Sequence, residues 1–299
     1  GCKVYFGNGA ALLVEGNLNI AGTDTANRVT FRGVRLDKDV AGRSYDDFPG
    51  QYSGVFFLRG SSGNIEYLSM RNSLYGINVG NIKTSDDPNQ NTAALQAMSI
   101  ANAPNVTIKN SIIYNHAFYG LFGFLGKIYA ENTLVYNCGR NVIGLYDGGQ
   151  YEFQNCTFYA RSSAYVSHAK DPLFYFNDYF KINDNAYVYA DAAAVLFENC
   201  IVYGTLENEI VIDDITNNPL VIDTKFEHCV VKAKPPFSPS VFVNYKLDDP
   251  QFQDVFKNNF NLKPTSPCRS YSTAFFPAND IEGFSRTGAV TDCGAYLYR

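Results

Sequence analysis

A tyrosine recurs at one fixed place in four short stretches of the chain, residues 106–114, 128–136, 151–159 and 195–203. Each stretch is centred on an asparagine (Asn110, Asn132, Asn155 and Asn199) and ends on a tyrosine: Tyr114, Tyr136, Tyr159 and Tyr203. If the stretches stack, these rings form an outward column, and a row of π-faces can bury the apolar faces of sugar rings. They are the candidate ligand-binding residues. The competing reading is that the aromatic insert with Phe174, Tyr175, Phe176, Tyr179 and Phe180 covers them as a satellite core. Bare rings argue for binding, covered rings for packing.

Other residues suited to chemistry are scattered. One position before each asparagine, Lys109, Glu131, Gln154 and Glu198 form an outward row that Glu227 extends. Glu131 and Glu198 are the right type for glycoside hydrolysis, which needs two carboxyls roughly 5–9.5 Å apart. An intervening coil should separate them further, so a solvated ladder is expected. A lyase needs a base among Lys, Arg, His or Tyr, with calcium or Arg neutralising the substrate acid. Asp86–Asp87 and Asp213–Asp214 are the tight acidic pairs open to calcium, and Asp147 precedes Gly148 and Gly149; each reads as an ordinary loop acid. Among the histidines, His228 takes the place of a repeat asparagine, His116 has no partner in the pattern, and His168, near Lys170 and Asp171, is the best single candidate for a base. No catalytic constellation assembles. No cofactor is expected beyond calcium at one of those pairs.

The elements that must position these residues follow from the repeat. Apolar residues alternate with polar ones on both sides of each asparagine, the signature of strands with one buried face. Val106, Ile108, Ser111 and Ile113 point inward in the first copy, and Val195, Phe197, Cys200 and Val202 in the fourth. The asparagine breaks the alternation, and a short polar residue that tolerates left-handed backbone angles suits a corner. Stacked asparagines should bond to one another through their amides at about one strand spacing, ~4.8 Å. The steps are 22, 23 and 44 residues, too short at base for a propeller blade or a helix pair and right for one coil of a solenoid. A fifth copy surrounds His228 and an earlier one Asn72. Glycine-led apolar runs at Gly76, Gly120 and Gly144 supply a third strand. The expected fold is all-β, a right-handed parallel β-helix with three short strands per coil, since parallel crossovers are strongly right-handed.

Residues 1–247 read as the helix, with inserts at 33–50 and 161–192, the second holding either an extra coil or a lobe. Residues 248–299 read as a closing cap over the last coil. Strand residues begin by Val4, so upstream sequence is expected to cover the first coil. Cys156, Cys200 and Cys229 share one slot and read as a column of buried thiols, while Cys268 and Cys293 are the candidates for a disulfide pair. A net charge of -5 argues against a nucleic-acid partner. No apolar run reaches the ~18 residues of a membrane span.

Four phrases add a resemblance: Phe31-Arg-Gly-Val-Arg-Leu-Asp37, Asp47-Phe-Pro-Gly-Gln-Tyr-Ser-Gly54, Asn110-Ser-Ile-Ile-Tyr-Asn115 and Asp292-Cys-Gly-Ala-Tyr296. Together they resemble surface lipoproteins of Bacteroides-type bacteria with a pectin-lyase-like β-helix. That resemblance implies an exported protein, tethered to the membrane through an upstream lipidated cysteine, and no particular activity; a monomer is expected. The leading expectation is a surface β-helix that binds glycan along its outer face. The alternatives are a polysaccharide lyase or glycoside hydrolase, and a structural spacer.

Overall fold

The computed structural model describes residues 1–82, 98–183, 186–214 and 223–299. Each repeat copy folds as two strands meeting at its central residue. Asn110, Asn132, Asn155, Asn199 and His228 all hold the left-handed conformation, with φ of 49, 46, 49, 55 and 51°. The amides bond along the stack: Asn132 Nδ2 donates to Asn110 Oδ1 at 3.3 Å, and Asn199 Nδ2 to Asn155 Oδ1 at 3.4 Å. Asn72 belongs elsewhere. Its N–H donates to the carbonyl of Asn115, and Asn115 in turn accepts from Asn137 Nδ2 at 3.2 Å. These three make a second left-handed column at the opposite end of the strand. The first column is held in that coil by Tyr67, φ 49°.

Parallel pairing stacks the coils into three faces. The first is an eight-stranded sheet that includes Leu68–Arg71, Ile112–His116, Leu134–Cys138, Thr157–Ala160 and Ile201–Gly204. The second includes Tyr75–Gly80 and Phe174–Asn177, and the third Asn105–Lys109, Ala193–Glu198 and Asp223–Glu227. Two long strands, Tyr119–Glu131 and Ile143–Gln154, bend from the second face into the third and join them into one sheet. Pairing runs in strict register, Tyr114 opposite Tyr136, Tyr136 opposite Tyr159 and Tyr159 opposite Tyr203. The chain is the right-handed parallel β-helix that the repeat predicts.

The inward rows form one continuous core. Phe153, Phe197, Phe226 and Phe242 stack along it at centroid spacings of 4.7, 4.6 and 5.1 Å. Each fully buried aromatic side chain contributes roughly 1.5–3 kcal/mol by leaving water. The thiols of Cys156, Cys200 and Cys229 pack beside that stack with no solvent exposure. Two of the sulfurs also accept backbone N–H groups, Cys200 Sγ from Cys156 N–H at 3.3 Å and Cys229 Sγ from Cys200 N–H at 3.4 Å. Cys268 and Cys293 are buried neighbours, and all seven cysteines are free thiols.

The 44-residue step is one long coil. Thr157–Ala160 pairs with Ile201–Gly204, and Phe174–Asn177 pairs directly with the strand beginning at Ile143. The surplus projects as an antiparallel hairpin of Tyr179–Asn183 and Ala186–Tyr189. The C-terminal segment lies along the outer surface of the first face, across several coils. Phe252, Phe260, Leu262, Ile281 and Tyr296 pack there against Leu134, Tyr136, Ile201, Tyr203 and Val230. Arg286 fastens it, donating to Asn132 Oδ1 at 3.2 Å and to the Gly294 carbonyl at 2.9 Å.

Candidate functional site

Parallel register places Tyr114, Tyr136, Tyr159 and Tyr203 in one outward column, as predicted. Tyr114 and Tyr136 stack at 5.0 Å, 3° from parallel. The rings are covered all the same. Tyr136 is 7% exposed and Tyr203 8%, and Tyr114 and Tyr159 are half-buried. The C-terminal segment covers most of the column, with Phe260 4.8 Å from Tyr136 and Phe252 5.6 Å from Tyr159, while Arg161, Ser163, Ala164 and Tyr165 at the start of the 161–192 insert line a pocket of about 320 Å³ with Tyr114 and Tyr136. Over Tyr136, Tyr159 and Tyr203 the column is a packing seam between solenoid and flank.

The third face carries an open surface. Its outward positions fall in registered rows, one residue per coil. Lys127, Gln150, Ala194 and Asp223 form the first row, and Tyr129, Glu152, Leu196 and Lys225 the second. The third is the predicted one, Glu131, Gln154, Glu198 and Glu227. Between them lies a trough of about 550 Å³ running across the strands. It contains both signs of charge, Lys127 and Lys225 facing Glu152, Asp223 and Glu227.

Most of the third row is tied down. Lys109 Nζ meets Glu131 Oε2 at 3.0 Å, and the Tyr129 hydroxyl donates to the same oxygen at 2.9 Å. Gln154 Nε2 donates to Glu198 Oε2 at 3.3 Å and the Thr273 hydroxyl to Glu198 Oε1 at 2.7 Å. Lys225 Nζ pairs with Glu227 at 2.5 Å. Glu131 and Glu198 stand two strands apart with Gln154 between them, so the predicted pair is a ladder. A different pair is closer: Glu152 sits on the strand next to Glu198, two residues along. Strand geometry puts those backbone positions about 8 Å apart. Burial, and then the charge of Glu198, hold the Glu152 carboxyl above the ordinary carboxylate value.

The remaining candidates fill structural roles. His168 is buried against Glu209, its Nε2 3.0 Å from both carboxylate oxygens, while the N–H groups of Leu173 and Leu206 donate to the same carboxylate. The pair pins the 161–172 loop and leaves no route for a substrate to the ring. His116 is enclosed beside Ser73 Oγ at 2.6 Å, and burial lowers its pKa to about 3. His228 serves the corner, as its place in the repeat predicts. Asp213 accepts the hydroxyls of Tyr175 and Tyr179 at 2.6 and 2.8 Å, Asp147 is buried, and the Asp86–Asp87 pair lies outside the described residues. Among the described residues no group of three His, Cys, Asp or Glu could hold a metal ion.

Sequence reasoning missed the trough because its first two rows mix residue types. Lys127, Gln150 and Asp223 share no repeated letter, and only the register groups them. The signal was the outward alternation itself, followed for every position of the copy and not just for the tyrosine and glutamate.

Comparison with known proteins bears on the fold. A family model described as "Right handed beta helix region" matches residues 99–261. A solved structure titled "Crystal structure of pectate lyase Pel9A" aligns with 99% of this chain and 86% of its own, at 10% identity and a TM-score of 0.46. No curated protein gives a match.

Proposed function

The chain belongs to the right-handed β-helix family, and from that premise we propose that it binds an extended glycan in the trough of its third face. The observation that supports this reading is the trough itself, about 550 Å³ of open, mixed-charge surface crossing successive coils. Sugar hydroxyls both donate and accept, and the lining offers Lys donors, Glu and Asp acceptors, and the amides of Asn105 and Gln150. An exported, membrane-tethered monomer would present that surface to polysaccharide outside the cell; the resemblance to surface lipoproteins supports this part. The test is calorimetric titration with pectic, xylan and β-glucan oligosaccharides. Wild-type protein is expected to bind one class, and Lys127→Ala/Lys225→Ala to lose about tenfold in affinity. Equal affinity of variant and wild type for every ligand refutes it.

A second reading, glycoside hydrolysis, is favoured by Glu152 and Glu198. They stand on neighbouring strands of the same face, two positions apart in register, and glycosidases work with two carboxyls flanking the bond they cleave. Glu152 is the candidate acid and Glu198 the candidate base. Release of reducing ends from the bound glycan, abolished in Glu152→Gln, is the expected result. Binding without product leaves a binding protein, and neither leaves a spacer.

A further inference from the structure

The second face carries a cleft of different character. Along its outward row Phe56, Asn78, Phe122, Gly144 and Tyr175 follow one another on successive strands, aromatic where a solvated sheet position is ordinarily polar. Gly144 is a notch in that row. A Cβ there would stand 2.6 Å from Tyr119 Cε1 and 3.1 Å from Tyr146 Cε2, so those two rings lie across bare backbone, their hydroxyls 3.2 Å apart. Phe122 and Tyr146 are 5.5 Å apart and 29° from parallel, and both keep part of the ring open to solvent. The hairpin residues Tyr179 and Phe180 form the opposite wall of a cleft of about 360 Å³. Its lining includes Arg140 and Lys181 and no carboxylate, in a chain of net charge -5. The Arg140 side chain is 52% exposed and reaches Asp171 only at 4.0 Å.

We propose that this cleft is a second glycan subsite for an anionic sugar unit, its ring face against Phe122 and Tyr146 and its carboxylate or sulfate on Arg140. A flat aromatic floor selects a ring with an apolar face over a free anion. The planar guanidinium matches a carboxylate or sulfate through two parallel N–H donors. The glycan class of the ligand rests on the reading given for the trough, whereas the location does not.

Calorimetry on the full chain separates the two. The probes are tetragalacturonate (carboxylated), a sulfated galactan tetrasaccharide and neutral cellotetraose. Arg140→Gln is expected to weaken one anionic ligand about tenfold, the loss of one charge-assisted bond, and to leave cellotetraose unchanged. Phe122→Ala is expected to weaken the same anionic ligand, and Lys127→Ala/Lys225→Ala to keep the Arg140-dependent binding. Arg140 is at the surface, so its replacement tests the site without disturbing the fold. If Arg140→Gln and Phe122→Ala bind as wild type while the trough variant loses affinity, the cleft is refuted and the trough stands. If only the cleft variants lose affinity, the trough is refuted and the cleft stands. Absence of binding to all three probes overturns both.

Discussion

Replacing Tyr136 by alanine separates packing from binding at the tyrosine column. Its ring lies between Tyr114, 5.0 Å away and 3° from parallel, and Phe260, 4.8 Å away, and is 7% exposed. Removing a buried aromatic to alanine typically costs ~3–5 kcal/mol, and each aromatic contact adds about 0.5–1.5 kcal/mol beyond area. Half-buried neighbours can relax into part of the gap, which places Tyr136→Ala near the lower end, about 3 kcal/mol. With a urea m-value at the upper end for single domains, about 3 kcal/mol/M, the unfolding midpoint should fall by about 1 M. Phe256→Ala is the control: that side chain is 80% exposed and should change stability by less than about 0.5 kcal/mol. Circular dichroism during urea titration reads both, and calorimetry at low urea reads glycan affinity, expected to be unchanged in Tyr136→Ala. A variant of wild-type stability that fails to bind glycan would refute the packing assignment and restore the column as the binding surface.

Further predictions concern the corners, a buried acid and the thiols. Asn132→Ala should cost about 3 kcal/mol, combining ~1–2 kcal/mol for the left-handed backbone with loss of its bonds to the Asn279 carbonyl and Arg286. Asn132→Gly should recover roughly 1 kcal/mol of that, and equal losses in urea unfolding would contradict the backbone share. Burial, then Asp178 and Asp191, push the Asp147 carboxyl from 3.8 up to about 7. The native state therefore holds this proton more tightly than the unfolded chain, so stability falls as pH rises from about 4 to about 7. Asp147→Asn should flatten that window and raise stability at pH 8 by on the order of 2–4 kcal/mol; an unchanged pH profile would contradict it. Iodoacetamide on the native protein should modify Cys2 alone, since the other six thiols are buried, and mass spectrometry showing more than one adduct would be the contrary result.

The parts of the fold that repeat were legible from the residues, because a one-residue slip would turn every core side chain outward. The alternation placed Val106, Phe153, Phe197 and their neighbours inside, and a break in it located the left-handed corner at Asn110, Asn132, Asn155, Asn199 and His228. Asn72 misled for a physical reason. Both ends of the first-face strand are left-handed corners, both accept asparagine, and the letter alone does not say which end it occupies. The C-terminal flank was harder still, because the contact of Phe260 with Tyr136 joins residues far apart in sequence and follows no period. That one contact decides the tyrosine column. The trough and the aromatic cleft depend on register across two bends, where positive φ at Leu125, and at Asp147 with Gly148 and Gly149 after it, re-aims the strand. Alternation counted along one strand does not pass through such a bend.

The most direct test of the account is a crystal structure of the full chain with the oligosaccharide that binds it most tightly. The account predicts sugar density along the third face, across Lys127, Tyr129, Glu152 and Lys225. Density confined to another surface, with that face bare, would contradict it.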